Sequence, residues 1–297
     1  MNGSRLLALL VVLLLILSLS ACSSDEPEAT QSTTQEAPLV TEPTAEVGEN
    51  GELIYEGANA KCLFENESCS FTLMKAEIDS LSDYCWDVTL VNSTGTPQIF
   101  TIDEVYVNDI RFDPNWAVKV EAGKTVDESI IWTAPEMDAR KITQITRVDF
   151  VLRVYADNGR EYANVALTSY PSGKSAYIPR ERDPQTTDVV LINNEAYTVI
   201  ITGDDPDNRW GYALELYLQN KSGRNVEFTI ENVLVSGEEI DPQWRYAVAA
   251  GKQATSEIIW FDHELEELED ITGITFELVI CDDSGNVLTR ESFVYVP

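Results

Sequence analysis

Hydrophobic and polar residues alternate along most of the chain from residue 53 onward. Trp86, Val88 and Leu90 alternate with Asp87, Thr89 and Val91, and Leu214, Leu216 and Leu218 alternate with Glu215, Tyr217 and Gln219. A period of two with one apolar face predicts half-buried strands. Turn formers follow directly at Asn92–Gly95 and Asn220–Gly223. Further strands are predicted around residues 97–112, 126–133, 144–155 and 161–167, with counterparts in the second half. Short apolar runs flank Glu65-Asn66 and later Asn193-Asn194, and asparagine tolerates positive φ, so a tight hairpin is expected at each. Helical spacing is confined to Asp262–Asp270, where Leu265 and Leu268 lie three apart; Ala134–Lys141 takes its place earlier.

The pattern occurs twice. Glu67–Trp132 aligns without a gap onto Glu195–Trp260, with 21 of 66 positions identical. Phe100-Thr101-Ile102 returns as Phe228-Thr229-Ile230, and Asp113-Pro114-Asn115-Trp116 as Asp241-Pro242-Gln243-Trp244. Gly123-Lys124 returns as Gly251-Lys252, and Ile130-Ile131-Trp132 as Ile258-Ile259-Trp260. After a two-residue adjustment, Ile145–Tyr155 matches Ile271–Cys281. Each unit is about 110 residues, which is domain size, so the relation is tandem duplication and not a solenoid. About seven strands per copy predict an all-β chain of two tandem immunoglobulin-like β-sandwiches. The boundaries expected are 53–169 for the first repeat, 170–187 for a proline- and charge-rich linker, and 188–297 for the second.

The first 52 residues have a different character. Met1–Arg5 ends in a positive charge and Leu6–Leu19 is almost unbroken Leu, Val, Ile and Ala. This is the layout of an export signal over residues 1–21, and it is shorter than the roughly 20 apolar residues of a membrane span. Leu19-Ser20-Ala21-Cys22 resembles the lipobox of bacterial lipoproteins, which implies a diacylglyceryl thioether on Cys22 and cleavage before it. Two acyl chains hold a membrane stably where one does so only marginally. Residues 22–52 read as a disordered acidic tether; Ser23–Glu52 has eight acidic and no basic residues. A flexible chain of that length spans about 30 Å.

Charge narrows the function. With 20 basic against 51 acidic residues the formal net charge is −31. Phosphate contacts need clustered Lys and Arg, so nucleic acid is excluded as a partner. His263 is the one histidine, which leaves little for imidazole-dependent catalysis or transition-metal binding. No catalytic residue, metal site or cofactor is expected.

Three features are weighed as sites. If Glu65-Asn66 is a two-residue turn, Cys62 and Cys69 face each other. A disulfide is then open to them in an oxidising compartment, the alternative being two small buried apolar side chains. Cys85 points to the opposite face of its strand from Trp86, and Cys281 stands apart. The recurring Trp116 and Trp244 offer rings to a sugar or partner, against packing over a sandwich end. Gly203–Asn208 gathers the oxygens that calcium favours, but without EF-hand spacing, and is expected to be a solvated turn.

Val91-Asn92-Ser93, Gln219-Asn220-Lys221-Ser222, Gly123-Lys124 and Gly251-Lys252 resemble the immunoglobulin-like, largely uncharacterised domains of lipoproteins from Gram-positive bacteria. That resemblance implies fold and location and supplies no catalytic residues. Together these readings lead to a lipid-anchored protein on the extracytoplasmic face of the cell membrane. It is expected to be non-enzymatic, a spacer or an interaction module for an envelope or extracellular protein. The alternatives are a glycan- or small-ligand-binding lipoprotein and a hydrolase.

Overall fold

The computed structural model describes residues 45–48, 51–266 and 270–297. The export signal, Cys22 and the tether before Ala45 lie outside the described residues.

The alternating segments form strands. The first repeat contains β1 (Glu46–Val47), β2 (Leu53–Glu56), β3 (Asn59–Glu65), β4 (Cys69–Ile78), β5 (Tyr84–Asn92), β6 (Gln98–Val107), β7 (Ile110–Arg111), β8 (Ala117–Val120), β9 (Thr125–Trp132), helix α1 (Ala134–Ala139), β10 (Val148–Ala156) and β11 (Glu161–Tyr170). The second contains β12 (Val189–Asn193), β13 (Tyr197–Asp205), β14 (Gly211–Asn220), β15 (Val226–Val235), β16 (Glu238–Glu239), β17 (Arg245–Val248), β18 (Gln253–Phe261), helix α2 (Asp262–Leu265), β19 (Ile274–Asp282) and β20 (Val287–Tyr295). The linker between β11 and β12 holds one 3₁₀ turn, Lys174–Ala176.

Each repeat is a sandwich. In the first, β3-β4-β5-β9 faces a sheet in which β8, β6, β10 and β11 are neighbours; in the second, β12-β13-β14-β18 faces β17, β15, β19 and β20. Setting aside β1, β2, β3 and β7 in the first repeat and β12 and β16 in the second, a three-strand layer and a four-strand layer remain in each. This is the A-B-E and C′-C-F-G order of an immunoglobulin-like domain. The inward faces bury an apolar core in each repeat. Trp132 and Trp260, which close the strands β9 and β18, are fully buried, and each donates its indole N–H at 3.1 Å to a backbone carbonyl, Phe112 and Ile240 respectively. Trp86 packs edge-to-face on Trp132 at 5.3 Å.

Two elements depart from the sequence expectation. The tether was expected to run to residue 52, but Glu46-Val47 pairs antiparallel with Ile54-Leu53 across a turn closed by the Gly51 N–H on the Gly48 carbonyl. Backbone pairing needs no apolar side chain, so composition does not reveal it. Helix is present in both repeats. In α1, Pro135 sits in the first turn, Thr133 donates its hydroxyl to Glu136, and Met137 is buried.

The two sandwiches share one sheet. Strand β7 extends the β6 hairpin and pairs in parallel with β18 through Ile110 and Gln253, fusing a sheet of each repeat into one of 11 strands.

Candidate functional site at the junction of the repeats

The junction begins with two buried asparagines. Asn92 donates its amide to the carbonyls of Thr96, Val120 and Glu121, and its Oδ1 accepts from the Thr94 N–H and hydroxyl. Asn220 repeats the set with Arg224, Val248, Ala249 and Ser222. Its own N–H reaches the Lys252 carbonyl at 2.9 Å, as that of Asn92 reaches Lys124. The Asn-Ser likeness is thus a turn device that fixes the Gly-Lys corner of each repeat.

The two lysines then diverge. Lys124 is exposed, whereas Lys252 is buried and places Nζ 2.7 Å from Asp109 Oδ1 and 2.7 Å from Asp149 Oδ2, both in the first repeat. Asp109 reaches across because Asn108 and Asp109 both take positive φ, 48° and 68°, as a two-residue type I′ hairpin turn requires. Asn108 Oδ1 pins that turn by accepting the Thr146 and Arg147 N–H groups at 2.9 and 3.1 Å. Arg147 balances the second carboxylate, its Nε lying 2.8 Å from Asp149. Thr168 donates to Asp149 at 2.6 Å and Tyr177 of the linker donates to Asp109. Two cations meet two anions, so the buried set is neutral, as burial of charge requires. Burial works against the Arg147 charge, but the adjacent Asp149 outweighs it and holds the guanidinium above its ordinary value. Burial, and then the bond to Asp109, raise the Tyr177 phenol.

Backbone bonds tighten the contact. Gln253 N–H reaches the Asp109 carbonyl at 2.8 Å and Ala249 N–H reaches the Tyr106 hydroxyl at 2.9 Å. Gln253 also donates its side-chain amide to the Arg180 carbonyl of the linker at 2.6 Å while accepting from Tyr217.

Beside this lock lies a cleft of about 320 Å³ whose wall includes Arg140, Lys141, Arg180, Arg182, Tyr217 and Gln253. Arg182 is held by Asp188 in a two-pronged pair at 2.5 and 2.6 Å. Arg180 donates to the Arg140 carbonyl at 2.6 Å. Arg140 lies 4.2 Å over the Phe112 ring, with its Nε buried and without a hydrogen-bond partner. Burial pushes the Tyr217 phenol up to about 12, so its hydroxyl stays a donor at neutral pH. Glu181 and Asp183 also line the cleft and Asp188 already pairs with Arg182, which leaves Arg140, Lys141 and Arg180 as the cations open to a small anionic group.

The residues singled out from the sequence lie elsewhere. Trp116 is half-buried, edge-to-face with Phe71 at 6.3 Å, and Trp244 is buried with its indole N–H on Ser256 at 3.0 Å. In both turns the Asp Oδ1 accepts the N–H two residues on, at 2.9 Å in Asp113 and 2.8 Å in Asp241. Asn115 and Gln243 take φ of 51°. The motif is turn chemistry that lays the indole against the core, and Trp244 has no ring face left for a ligand.

The expected Cys62–Cys69 facing is corrected. The turn spans Asn66–Ser68, with Asn66 Oδ1 accepting the Ser68 and Cys69 N–H groups, which shifts the register. Cys62 faces Thr72, Cys69 faces Asn92 on the other side, and both thiols are free, as are Cys85 and Cys281. His263 is exposed and stacks on Phe261. In the acidic loop Asp204 accepts the hydroxyls of Tyr295 and Tyr212 at 2.8 and 3.2 Å. Among the described residues no group of three or more His, Cys, Asp or Glu is placed to hold a metal ion, and no helix is long and apolar enough to cross a membrane.

No family model matches the chain, and no curated protein matches it. Among solved structures, it is similar to the SafA pilin of Salmonella enterica in complex with the SafB chaperone, at 11% identity and TM-score 0.24 over 79% of this chain and 98% of that one. It is similar to the YadV chaperone at 10% identity and TM-score 0.20, over 70% and 92%. A red sea bream transglutaminase gives 12% identity and TM-score 0.20, over 72% and 29%. Likeness at this level carries no functional argument.

The junction itself was missed in the sequence. Asn108-Asp109 has the composition of a type I′ turn and was a signal that could have located the corner. Nothing local marks Asp149 as its partner in holding Lys252.

Proposed function

We propose that this is a lipid-anchored protein of the extracytoplasmic face of the cell membrane, without enzymatic activity, whose two repeats work as one stiff interaction module. The sequence carries the address, through the apolar leader and Cys22. The observation that carries the mechanical part is the buried bridge from Lys252 to Asp109 and Asp149. Tandem domains on a linker are expected to move relative to each other unless their interface is substantial. A shared sheet, a neutral buried ion cluster and a linker bonded to both sides favour a fixed angle. Such a body, raised on a flexible acidic tether, presents the surfaces of its two repeats at a fixed angle to each other. Partners of this module are envelope or extracellular proteins. Mass spectrometry of the native protein tests the address: the reading expects an amino-terminal Cys22 carrying a diacylglyceryl group, and an intact Met1 with a free thiol would overturn it.

A second reading rests on the cleft. Ligand sites favour domain junctions, and Arg140, Lys141 and Arg180 suit a small carboxylate or phosphate. Calorimetric titration of the full chain with citrate, repeated on Arg180→Ala, tests this; heat that is absent, or unchanged by the substitution, removes it.

A further inference from the structure

The duplication provides an internal template for a surface that is covered in one repeat and bare in the other. In the first repeat, β2 runs parallel to the end of β11, with Leu53 beside Leu167, Ile54 beside Thr168, Tyr55 beside Ser169 and Glu56 beside Tyr170. All four β11 residues are buried. The linker and the ion cluster cover their outer face, with Tyr177 packed on Tyr170 and Thr168 bonded to Asp149.

The equivalent positions follow from the ladders. Val148 pairs with Ser169, its counterpart Ile274 pairs with Tyr295, and so Leu167–Tyr170 corresponds to Phe293–Val296. Among the described residues β20 is the last strand of its sheet, paired with β19 alone. Val294 and Val296 are 70% and 68% exposed. The residues that would supply a second β2, Glu181-Arg182-Asp183-Pro184, belong to the linker instead, with Arg182 over the Tyr217 ring.

Exposed edges are normally blunted by charge or proline. The first half of β20 follows that rule, since Arg290 bridges Glu231 and Glu277, each at 2.7 Å. Phe293–Val296 carries no charge. A partner strand would find unpaired backbone along the edge and two valines on the adjoining face, which are the ingredients of strand addition.

We propose that Phe293–Val296 takes an extended segment of another protein as an added strand parallel to β20. That segment is apolar over three residues, as Leu53–Tyr55 is, and neutral or basic overall. A second copy of this chain is the poorer occupant, because two bodies of net charge −31 repel. The proposal deepens the interaction-module reading and rests on it. Failure of strand binding would leave acylation of Cys22 untouched, and an unmodified Cys22 would leave the strand site standing.

The probe is a fluorescent peptide with the sequence of residues 51–57 and a lysine at each end, titrated into the full chain and read by anisotropy. Saturable binding is expected. It should weaken at least tenfold in the double variant Val294→Lys, Val296→Lys, and disappear when alternate backbone amides of the peptide are N-methylated. The N-methylated peptide decides the matter if the double variant fails to fold. No saturable binding, or equal binding by the N-methylated peptide, overturns the proposal. So does a concentration-dependent dimer, seen by sedimentation, that the peptide dissolves, because the occupant would then be a second copy.

Discussion

Lys252 of the second repeat sets its ammonium 2.7 Å from the carboxylate of Asp109 in the first, with both side chains buried. The equivalent positions, Lys124 in the first repeat and residues 237 and 275 in the second, do not repeat this relationship. Lys124 is exposed, the place of Asp109 is taken by Gly237, and that of Asp149 by Thr275, which carries no charge.

Removing Lys252 leaves two carboxylates buried with Arg147 as their remaining cation. Lys252→Ala should lower unfolding free energy by about 3–5 kcal/mol, the usual cost of breaking a buried pair from one side. Lys124→Ala, at the matching exposed position, should change it by less than about 0.5 kcal/mol. Urea unfolding of both variants checks the contrast, and equal effects would remove the bridge from the account.

Asn92 and Asn220 each satisfy three carbonyls that would otherwise be left unpaired near the core. Replacement by Ala strands those acceptors, and an unsatisfied buried group costs about 1–3 kcal/mol. Each variant should lose about 3 kcal/mol, and Asn220→Ala should also loosen the Lys252 corner. Thermal melts give the first effect. Amide exchange at Gln253, whose N–H crosses the junction to Asp109, gives the second.

The pH dependence has a definite sign. The two bonds from Arg182 hold the Asp188 carboxyl below its ordinary 3.8. A depressed folded value contributes stability that is present above pH 3.8 and is lost as pH falls through the lower folded value. Asp188→Asn should therefore destabilise the chain at neutral pH and flatten the acid limb of its stability curve below pH 3.8. A parallel acid limb in the variant would contradict this.

Cys62 and Cys69 should remain thiols even after exposure to an oxidising compartment, because the hairpin register turns them apart. Burial pushes the Cys69 thiol up to about 11, so little thiolate is present to react. Non-reducing peptide mapping should find no bridge between them, and Cys69 should resist alkylation until the chain unfolds.

Much of the fold was legible in the sequence, because strand alternation and duplication are local or self-referential signals. Trp132 and Trp260 could be placed in the core from the apolar runs they close. The Cys62–Cys69 pairing failed on the placement of the turn: the ladder joins Glu65 to Ser70 and, past a bulge, Cys62 to Thr72, three positions beyond Cys69. The Trp116 and Trp244 turns looked like sites because recurrence alone does not separate a shared packing need from a shared ligand. The lock and the strand edge were invisible for a different reason. Lys252 with Asp149, and β20 with its missing neighbour, are relations between distant segments, and each resolves only once the ladders are known.

The stiffness of the two-repeat body is tested most directly by residual dipolar couplings of backbone amides in one weakly aligned sample of the full chain. The account predicts that couplings from β3–β11 and from β12–β20 fit a single alignment tensor, and that Lys252→Ala separates them into two. Two different tensors in the unmodified chain would mean that the repeats move independently, and the junction would not be the mechanical element described.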